Sequence, residues 1–200
     1  MDVSGLQLDS FWSNVVGALV VAAEGLFPIV PGETVLIGGA VLSARGEASL
    51  AGVLIATAIG GLIGDQLSYW VGRTAGRSAS GRFLRGPRAR AKLADAASLI
   101  EKRGRTVVVL GRFVPNGRTA TTFACGALGM PWRRFAGADL LAVLLWTVIA
   151  GGTGYLGGAT LGTSAPLAIA ATLLVLLLVS AAGGRIARRR RIRRAAAEAT

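Results

Sequence analysis

The chain has 200 residues, of which 52% are hydrophobic and 16% are charged, and its formal net charge is +12. This composition is too apolar for a soluble domain of this size, and it predicts a single all-α membrane domain. There is no histidine and only one cysteine, Cys125. Histidine metal sites, nucleophiles activated by histidine and an internal disulfide are therefore excluded. We expect neither a metal nor an organic cofactor.

Two kinds of apolar stretch alternate along the chain. Segments 49–72, 135–157 and 164–184 have about the 20 residues of an ordinary transmembrane helix. Segments 11–44 and 106–131 contain prolines and ionisable residues, which are tolerated at membrane depth only inside protein or beside a water-filled cavity. We predict that each of these two segments forms a re-entrant hairpin.

Basic residues orient the predicted helices. The linker 73–105 holds ten Lys and Arg residues, and the tail 185–200 holds seven arginines. Because such residues concentrate in cytoplasmic segments, both are predicted to be cytoplasmic, and 49–72 then runs inward from the outer face. The side of the N-terminus stays open. The tail directly follows the apolar residues of the membrane domain 1–184, so we interpret it as an orientation signal that contacts anionic lipid, with no nucleic-acid partner.

Weak internal similarity indicates a duplication. Three pairs of segments match in the same order at an offset of 84 to 87 residues: 30–34 with 114–119, 39–42 with 126–128, and 69–76 with 155–162. Chance similarity in a chain rich in glycine and alanine is the alternative. The matches predict an inverted repeat of a re-entrant hairpin plus a transmembrane helix, with an extra transmembrane helix at the C-terminus.

Besides Asp139 at the start of 135–157, five charged residues fall inside the predicted membrane segments: Glu24, Glu33, Asp65, Arg112 and Arg118. Each costs about 2.5–3.5 kcal/mol or more if it is unpaired at mid-bilayer. Because the repeat brings the hairpins together, we expect acids of the first to meet arginines of the second in one pocket. The arginine forks fit a phosphate, and the alternative is that they only compensate the acids.

The two glutamates each have a functional and a structural interpretation. Glu24 is either a proton carrier, since neutralisation costs less than burial of a bare carboxylate, or half of a structural ion pair. Glu33 is either a second proton carrier or the favourable acid of a helix start after Pro-Gly.

A polar row precedes the basic linker. Asp65, Tyr69 and Arg73 are spaced four residues apart and therefore share one helical face. Structural pairing and a role in supporting the pocket fit this row equally well.

Several residues receive purely structural interpretations. Asp139 follows Arg133 and Arg134, and we expect it to form a plain salt bridge near the membrane interface. The aromatic residues are interpreted as interface anchors or packing residues: Trp132, Trp146 and Tyr155.

Four segments carry a recognisable pattern: EGLFPIVPGE at 24–33, GDQLSYWVGRTAG at 64–76, GRFVPNGRT at 111–119 and GALGMPWRRF at 126–135. Together they resemble the bacterial DedA family, also called SNARE-associated or VTT-domain proteins. The resemblance implies a multi-pass protein of the cell's inner membrane with two re-entrant hairpins, a role in envelope integrity and dependence on the proton-motive force. Members are linked to recycling of undecaprenyl phosphate, and eukaryotic relatives to phospholipid scrambling.

The resemblance also assigns site residues. The acidic pair of the family falls on Glu24 and Glu33, and the arginine pair on Arg112 and Arg118. The chain departs from many members by having Glu33 in place of aspartate and by closer spacing of the acids, which puts the identity of the lipid in doubt. The resulting hypothesis is a proton-coupled carrier, and not an enzyme, whose partners are protons and a phosphate-bearing lipid. The alternatives are an uncoupled scramblase and an enzyme that processes lipid phosphates.

Overall fold

The computed structural model describes residues 3–27, 32–79, 87–114 and 117–161, which form helices without any strand. In chain order the helices are α1 (Val3–Leu26), α2 (Gly32–Ala44), α3 (Leu50–Ala79), α4 (Pro87–Gly111), α5 (Gly117–Ala127) and α6 (Trp132–Leu161). The all-α prediction is thereby confirmed for these ranges. The predicted helix 164–184 and the tail 185–200 lie outside the described residues.

Helices α3 and α6 are long and apolar enough to cross a membrane, over Leu50–Arg77 and Trp132–Thr160. Both extend beyond the predicted spans 49–72 and 135–157. The sequence contains no proline from residue 50 to residue 86, so nothing stops α3 where the apolar residues end.

The linker 73–105 is helical over much of its length, because α3 continues to Ala79 and α4 starts at Pro87. Proline is well suited to a first helical position, and the Ala, Arg, Lys and Leu residues that follow are good helix formers. Arg103 interrupts α4 with non-helical angles (φ −132°, ψ 21°). This kink separates the basic part of α4 from the apolar part, close to the predicted boundary at 106.

The two halves of the chain repeat one order of elements. A helix breaks before a short helix, which ends in a tight turn and is followed by a long apolar helix. Each turn has a glycine at positive φ, Gly46 at 78° and Gly129 at 79°. After each glycine, the next amide donates to the carbonyl five residues earlier at 3.0 Å, as in a Schellman motif.

The halves also exchange their short helices. Helix α2 packs on α6 and α5 packs on α3, while α1 and α4 pack on α3 and α6 of their own halves. Small residues allow the close approach. A Cβ added at Gly72 of α3 would overlap the Phe123 carbonyl of α5, and one added at Gly158 of α6 would lie 2.9 Å from the Val41 carbonyl oxygen of α2. The two halves therefore interlock.

Helix α3 has its apolar side chains outward and its polar ones inward. A row of large apolar side chains is 46–60% exposed, while Asp65 is fully buried and Ser68 and Thr57 are each 2% exposed; the row is Ile55, Ile59, Ile63 and Leu67. Soluble proteins rarely expose such a continuous apolar surface. The arrangement suits hydrocarbon around the helix and a polar interior.

Candidate functional site

The two helix breaks hold the residues that the sequence singles out. Glu24 lies in the last turn of α1, Arg112 directly follows α4, and Arg118 lies in the first turn of α5. The helix dipole disfavours a carboxylate at a C-terminal end and a guanidinium at an N-terminal end. Glu24 and Arg118 are therefore not helix caps, and their charges require partners from elsewhere in the fold.

Asp65 of α3 supplies the centre of the arrangement. Nη1 of Arg112 donates to Oδ2 of Asp65, and Nε of Arg118 donates to Oδ1 at 2.7 Å. Nη1 of Arg118 donates to Oε2 of Glu24 at 2.6 Å. Asp65 is fully buried, and the Arg112 side chain is 3% exposed. We call Glu24, Asp65, Arg112 and Arg118 the ion cluster.

Every guanidinium nitrogen of Arg118 has an acceptor. Besides its two carboxylate bonds, Nη2 donates to the carbonyls of Gly61 at 3.2 Å and Val21 at 3.4 Å. The hydroxyl of Thr119 donates to the backbone carbonyl of Glu24 at 3.3 Å. The start of α5 is thereby tied to both α1 and α3.

Arg112 differs because part of its guanidinium is unsatisfied. Its Nε and Nη2 are buried and have no hydrogen-bond partner among the described residues. The guanidinium lies over the ring of Trp146, 4.8 Å from the ring centroid, a cation–π geometry. Because a buried unmet donor costs about 1–3 kcal/mol, two such nitrogens on one side chain indicate a place for an acceptor.

A cavity of about 40 Å³ adjoins the ion cluster, and it is lined by Glu24, Glu33, Arg112, Val114, Arg118, Thr119 and Trp146. This volume holds roughly three water molecules, which is fewer heavy atoms than a phosphate group contains. Gly61 leaves space for the guanidinium on one side, since a Cβ there would lie 2.9 Å from Nη2 of Arg112. The cavity must therefore widen before a phosphate enters.

Glu33 faces the same cavity without joining the ion cluster. It lies in the first turn of α2, its side chain is exposed, and it forms no ion pair within the described ranges. Its position fits both the helix-start and the pocket interpretation.

The predicted polar row on α3 splits into two groups. Asp65 belongs to the ion cluster, whereas the hydroxyl of Tyr69 donates to the Met130 carbonyl at 2.6 Å. Nη1 of Arg73 donates to that carbonyl at 3.2 Å and to the Tyr69 hydroxyl at 3.0 Å. Tyr69 also stacks on Phe135, with ring centroids 4.6 Å apart. We call Tyr69, Arg73, Met130 and Phe135 the Met130 cluster, and its contacts hold the turn between α5 and α6.

Asp139 is not the interfacial salt-bridge residue that the sequence predicts. It is 1% exposed, accepts a hydrogen bond from Nε2 of Gln66 at 3.0 Å and lies within hydrogen-bonding reach of Asp65. The reason is its position two turns into α6, on the face that contacts α3. Trp146 was expected to be an anchor or packing residue, and it packs on Arg112 at the cavity.

The helical spacing in the sequence indicates that Asp139 and Trp146 lie on the same face of α6. Phe135, Asp139 and Trp146 are spaced by four and seven residues and so lie on one face of α6. That face also carries the buried Ala142 and Val143.

Comparison with known proteins agrees with the resemblance noted above. The VTT domain family model matches residues 30–156. This range includes Glu33, Asp65, both arginines and Asp139, whereas Glu24 lies six residues before its start.

Three relatives illustrate the similarity. Undecaprenyl phosphate transporter A of Bacillus subtilis is 29% identical over 141 residues, 69% of this chain and 70% of that protein. An uncharacterised membrane protein of Mycobacterium tuberculosis is 38% identical over 147 residues, 70% of this chain and 64% of that protein. One of Mycobacterium leprae is 30% identical over 125 residues, 60% of this chain and 54% of that protein.

The aligned part thus spans between about half and about two thirds of these relatives. No solved structure matches the chain. The two mycobacterial relatives are named as membrane proteins, and the structure has two helices able to cross a bilayer. With the family match over most of its length, the chain is a membrane protein that belongs to the VTT-domain family, also called the DedA family.

Proposed function

We propose that this protein is a lipid carrier of the cell's inner membrane, which uses the proton-motive force to translocate a phosphate-bearing lipid in support of envelope homeostasis. Undecaprenyl phosphate and phospholipids are the candidate lipids. The family membership and the name of the Bacillus subtilis relative support this class of function. The proposal for this chain rests on the ion cluster.

The observation that carries the proposal is the half-satisfied guanidinium of Arg112 beside the cavity. Arg112 and Arg118 line this cavity together, and guanidinium forks bind phosphate through paired, charge-assisted hydrogen bonds. Without a ligand, the carboxylates of Asp65 and Glu24 accept from the other donors, except Nη2 of Arg118, which donates to backbone carbonyls. A phosphate binds by taking the two free nitrogens and then displacing carboxylate oxygens.

The displacement of carboxylates by a phosphate couples proton binding to lipid binding. Glu24 loses its guanidinium partner when a phosphate takes Arg118, and the apolar surroundings then favour the protonated carboxyl. Glu33 lines the same cavity and provides a second proton site. Because the coupling is reciprocal, a proton gradient drives binding and release of the lipid.

Movement across the membrane uses the repeated architecture. We propose that the α1–α2 and α4–α5 pairs are re-entrant hairpins and that the two halves form an inverted repeat. Their exchanged short helices place both breaks at one site, as in transporters with broken helices near the midplane. Rocking of the halves opens the cavity to either side in turn.

We propose that the C-terminus and the 73–105 linker are cytoplasmic. Cysteines at Ser80 and Ala195 are expected to resist an impermeant thiol reagent in intact cells. Glu47→Cys is the positive control, because this exposed turn precedes the inward-running α3. Native Cys125 is fully buried and contributes little background. Labelling at Ser80 or Ala195 would contradict the orientation.

The test of the carrier is translocation of undecaprenyl phosphate in proteoliposomes with and without a pH gradient. Glu24→Gln and Glu33→Gln are expected to bind the lipid and to lose the response to the gradient. Glu47→Gln, an exposed acid far from the cavity, is the matched control. Full gradient-driven transport by both cavity variants would contradict proton coupling.

Uncoupled scrambling is the second candidate, favoured by the Glu24–Arg118 ion pair at 2.6 Å. If Glu24 only neutralises Arg118, lipid crosses at the same rate with and without the gradient in wild type and in both variants. The same preparation tests the enzyme alternative, since release of inorganic phosphate from the lipid would contradict a carrier.

A further inference from the structure

A carboxyl pair lies behind the ion cluster and is not used by the carrier mechanism described so far. Asp139 of α6 lies within hydrogen-bonding reach of Asp65 of α3, and neither residue is more than 1% exposed. Nε1 of Trp132 donates to Oε1 of Gln66 at 2.8 Å, which leaves Nε2 of Gln66 to donate to Oδ2 of Asp139 at 3.0 Å. The side-chain amide of Gln66 thus has a fixed orientation and holds Asp139 next to Asp65.

The charges around Asp139 do not allow another buried anion. In the ion cluster, two guanidiniums face the two carboxylates of Asp65 and Glu24. Asp139 forms no ion pair within the described part of the chain. Two carboxyl groups in contact cannot both ionise in an apolar interior, so one of them holds a proton.

The groups facing Asp139 come from every helix around it. Helix α3 contributes Asp65, the α4 end contributes Arg112, and α5 contributes Arg118 and the Cys125 thiol. The only titratable residue of α2 is the exposed Glu33. Neither arginine forms an ion pair with Asp139 in the described part of the chain, because both are paired with the carboxylates of the ion cluster.

The proton belongs to Asp139 and not to Asp65. Both oxygens of Asp65 accept hydrogen bonds from guanidinium groups, which fixes Asp65 as the ionised partner. Asp139 accepts only from a neutral amide, and its contact with Asp65 requires a hydrogen from one side.

We propose that Asp139 is a buried proton-binding site that donates its hydrogen to Asp65, and that this proton keeps Arg112 available for an anionic ligand. An ionised Asp139 would attract the guanidinium of Arg112 and would compete with a phosphate for this cation, which has two unpaired nitrogens. The link to phosphate rests on the proposed function, whereas the protonation of Asp139 does not.

Infrared spectroscopy of the purified full-length protein tests the protonation directly. At about pH 7, wild type should show a carbonyl band of a protonated carboxylic acid, and Asp139→Asn should lose one component of this band. Asparagine can still donate to Asp65 and accept from Gln66, so the variant is expected to fold. Glu101→Gln, an exposed acid on α4, is the control. An identical band in wild type and Asp139→Asn would overturn the proposal.

The second part of the proposal is that the proton on Asp139 keeps Arg112 available for an anionic ligand. Binding of undecaprenyl phosphate in detergent between about pH 7 and pH 10 tests it. Wild-type affinity should fall by about tenfold per pH unit once Asp139 ionises, while the affinity of Asp139→Asn stays constant. The same fall in both proteins would overturn the link to Arg112. If neither protein binds the lipid at any pH, the proposed substrate is wrong, and the infrared result still decides the state of Asp139.

Discussion

The ion cluster and the Met130 cluster lie on one face of α3, four residues apart at their nearest members, and differ in how their hydrogen bonds are used. In the Met130 cluster, a neutral carbonyl accepts from both Tyr69 and Arg73. In the ion cluster, formal charges face each other, and two nitrogens of Arg112 stay unpaired. Spacing places side chains on a face, whereas the element packed against that face decides their role.

Because the two clusters use their hydrogen bonds differently, substitutions in them should have different effects on stability and on transport. Neutral buried hydrogen bonds contribute about 0.5–1.5 kcal/mol each to stability, so the Met130 cluster holds the α5–α6 turn in place. A buried ion pair gives little net stability because desolvation offsets the attraction. Removing one partner, however, leaves a buried charge unpaired and costs about 3–5 kcal/mol. In the ion cluster, substitutions that keep the charge should therefore change transport more than folding.

The largest expected effect is on transport by Arg118→Lys. Arg118 uses all three of its nitrogens, and a lysine cannot reproduce this fork although it keeps the charge. Gradient-driven transport of undecaprenyl phosphate in proteoliposomes should fall by about tenfold or more, since one lost fork is worth more than about 1.4 kcal/mol.

Arg73→Lys is the matched control for this substitution. Arg73 donates through Nη1 alone, a role that one ammonium group can fill, so transport should stay within about twofold of wild type. If Arg118→Lys transports like Arg73→Lys, Arg118 is only a counter-ion, and the contrast between the clusters fails.

A smaller effect is expected for Tyr69→Phe, and on stability alone. Removing the hydroxyl deletes its bond to the Met130 carbonyl, while Arg73 still donates to that oxygen. The free energy of unfolding should drop by about 1 kcal/mol, measured by thermal unfolding in detergent, with transport per folded molecule unchanged. Tyr155→Phe, whose side chain is 37% exposed, should leave stability unaltered. Loss of transport in a stable Tyr69→Phe protein would give the Met130 cluster a functional role.

Local sequence alone determined the helices and their breaks. Apolar runs of 20 or more residues predicted α3 and α6, and both interruptions fall where Pro and Gly stop a helix: Leu26 ends α1, and Gly111 ends α4. The basic linker was predicted only to be cytoplasmic, and no helix was assigned to it. Its Ala, Arg and Leu residues favour helix locally, but a search for apolar segments does not register a polar helix.

The sequence also identified the charged residues of the site, because ionisable groups in apolar segments are costly and need a partner. Only the tertiary structure decided which residue pairs with each charged group. Asp65 sits between two arginines while Tyr69, one turn later, binds a carbonyl, and Asp139 faces Asp65 in place of the arginines beside it in sequence. These choices depend on which helix packs against each face, and contacts between residues 47 or more positions apart leave no local pattern to read.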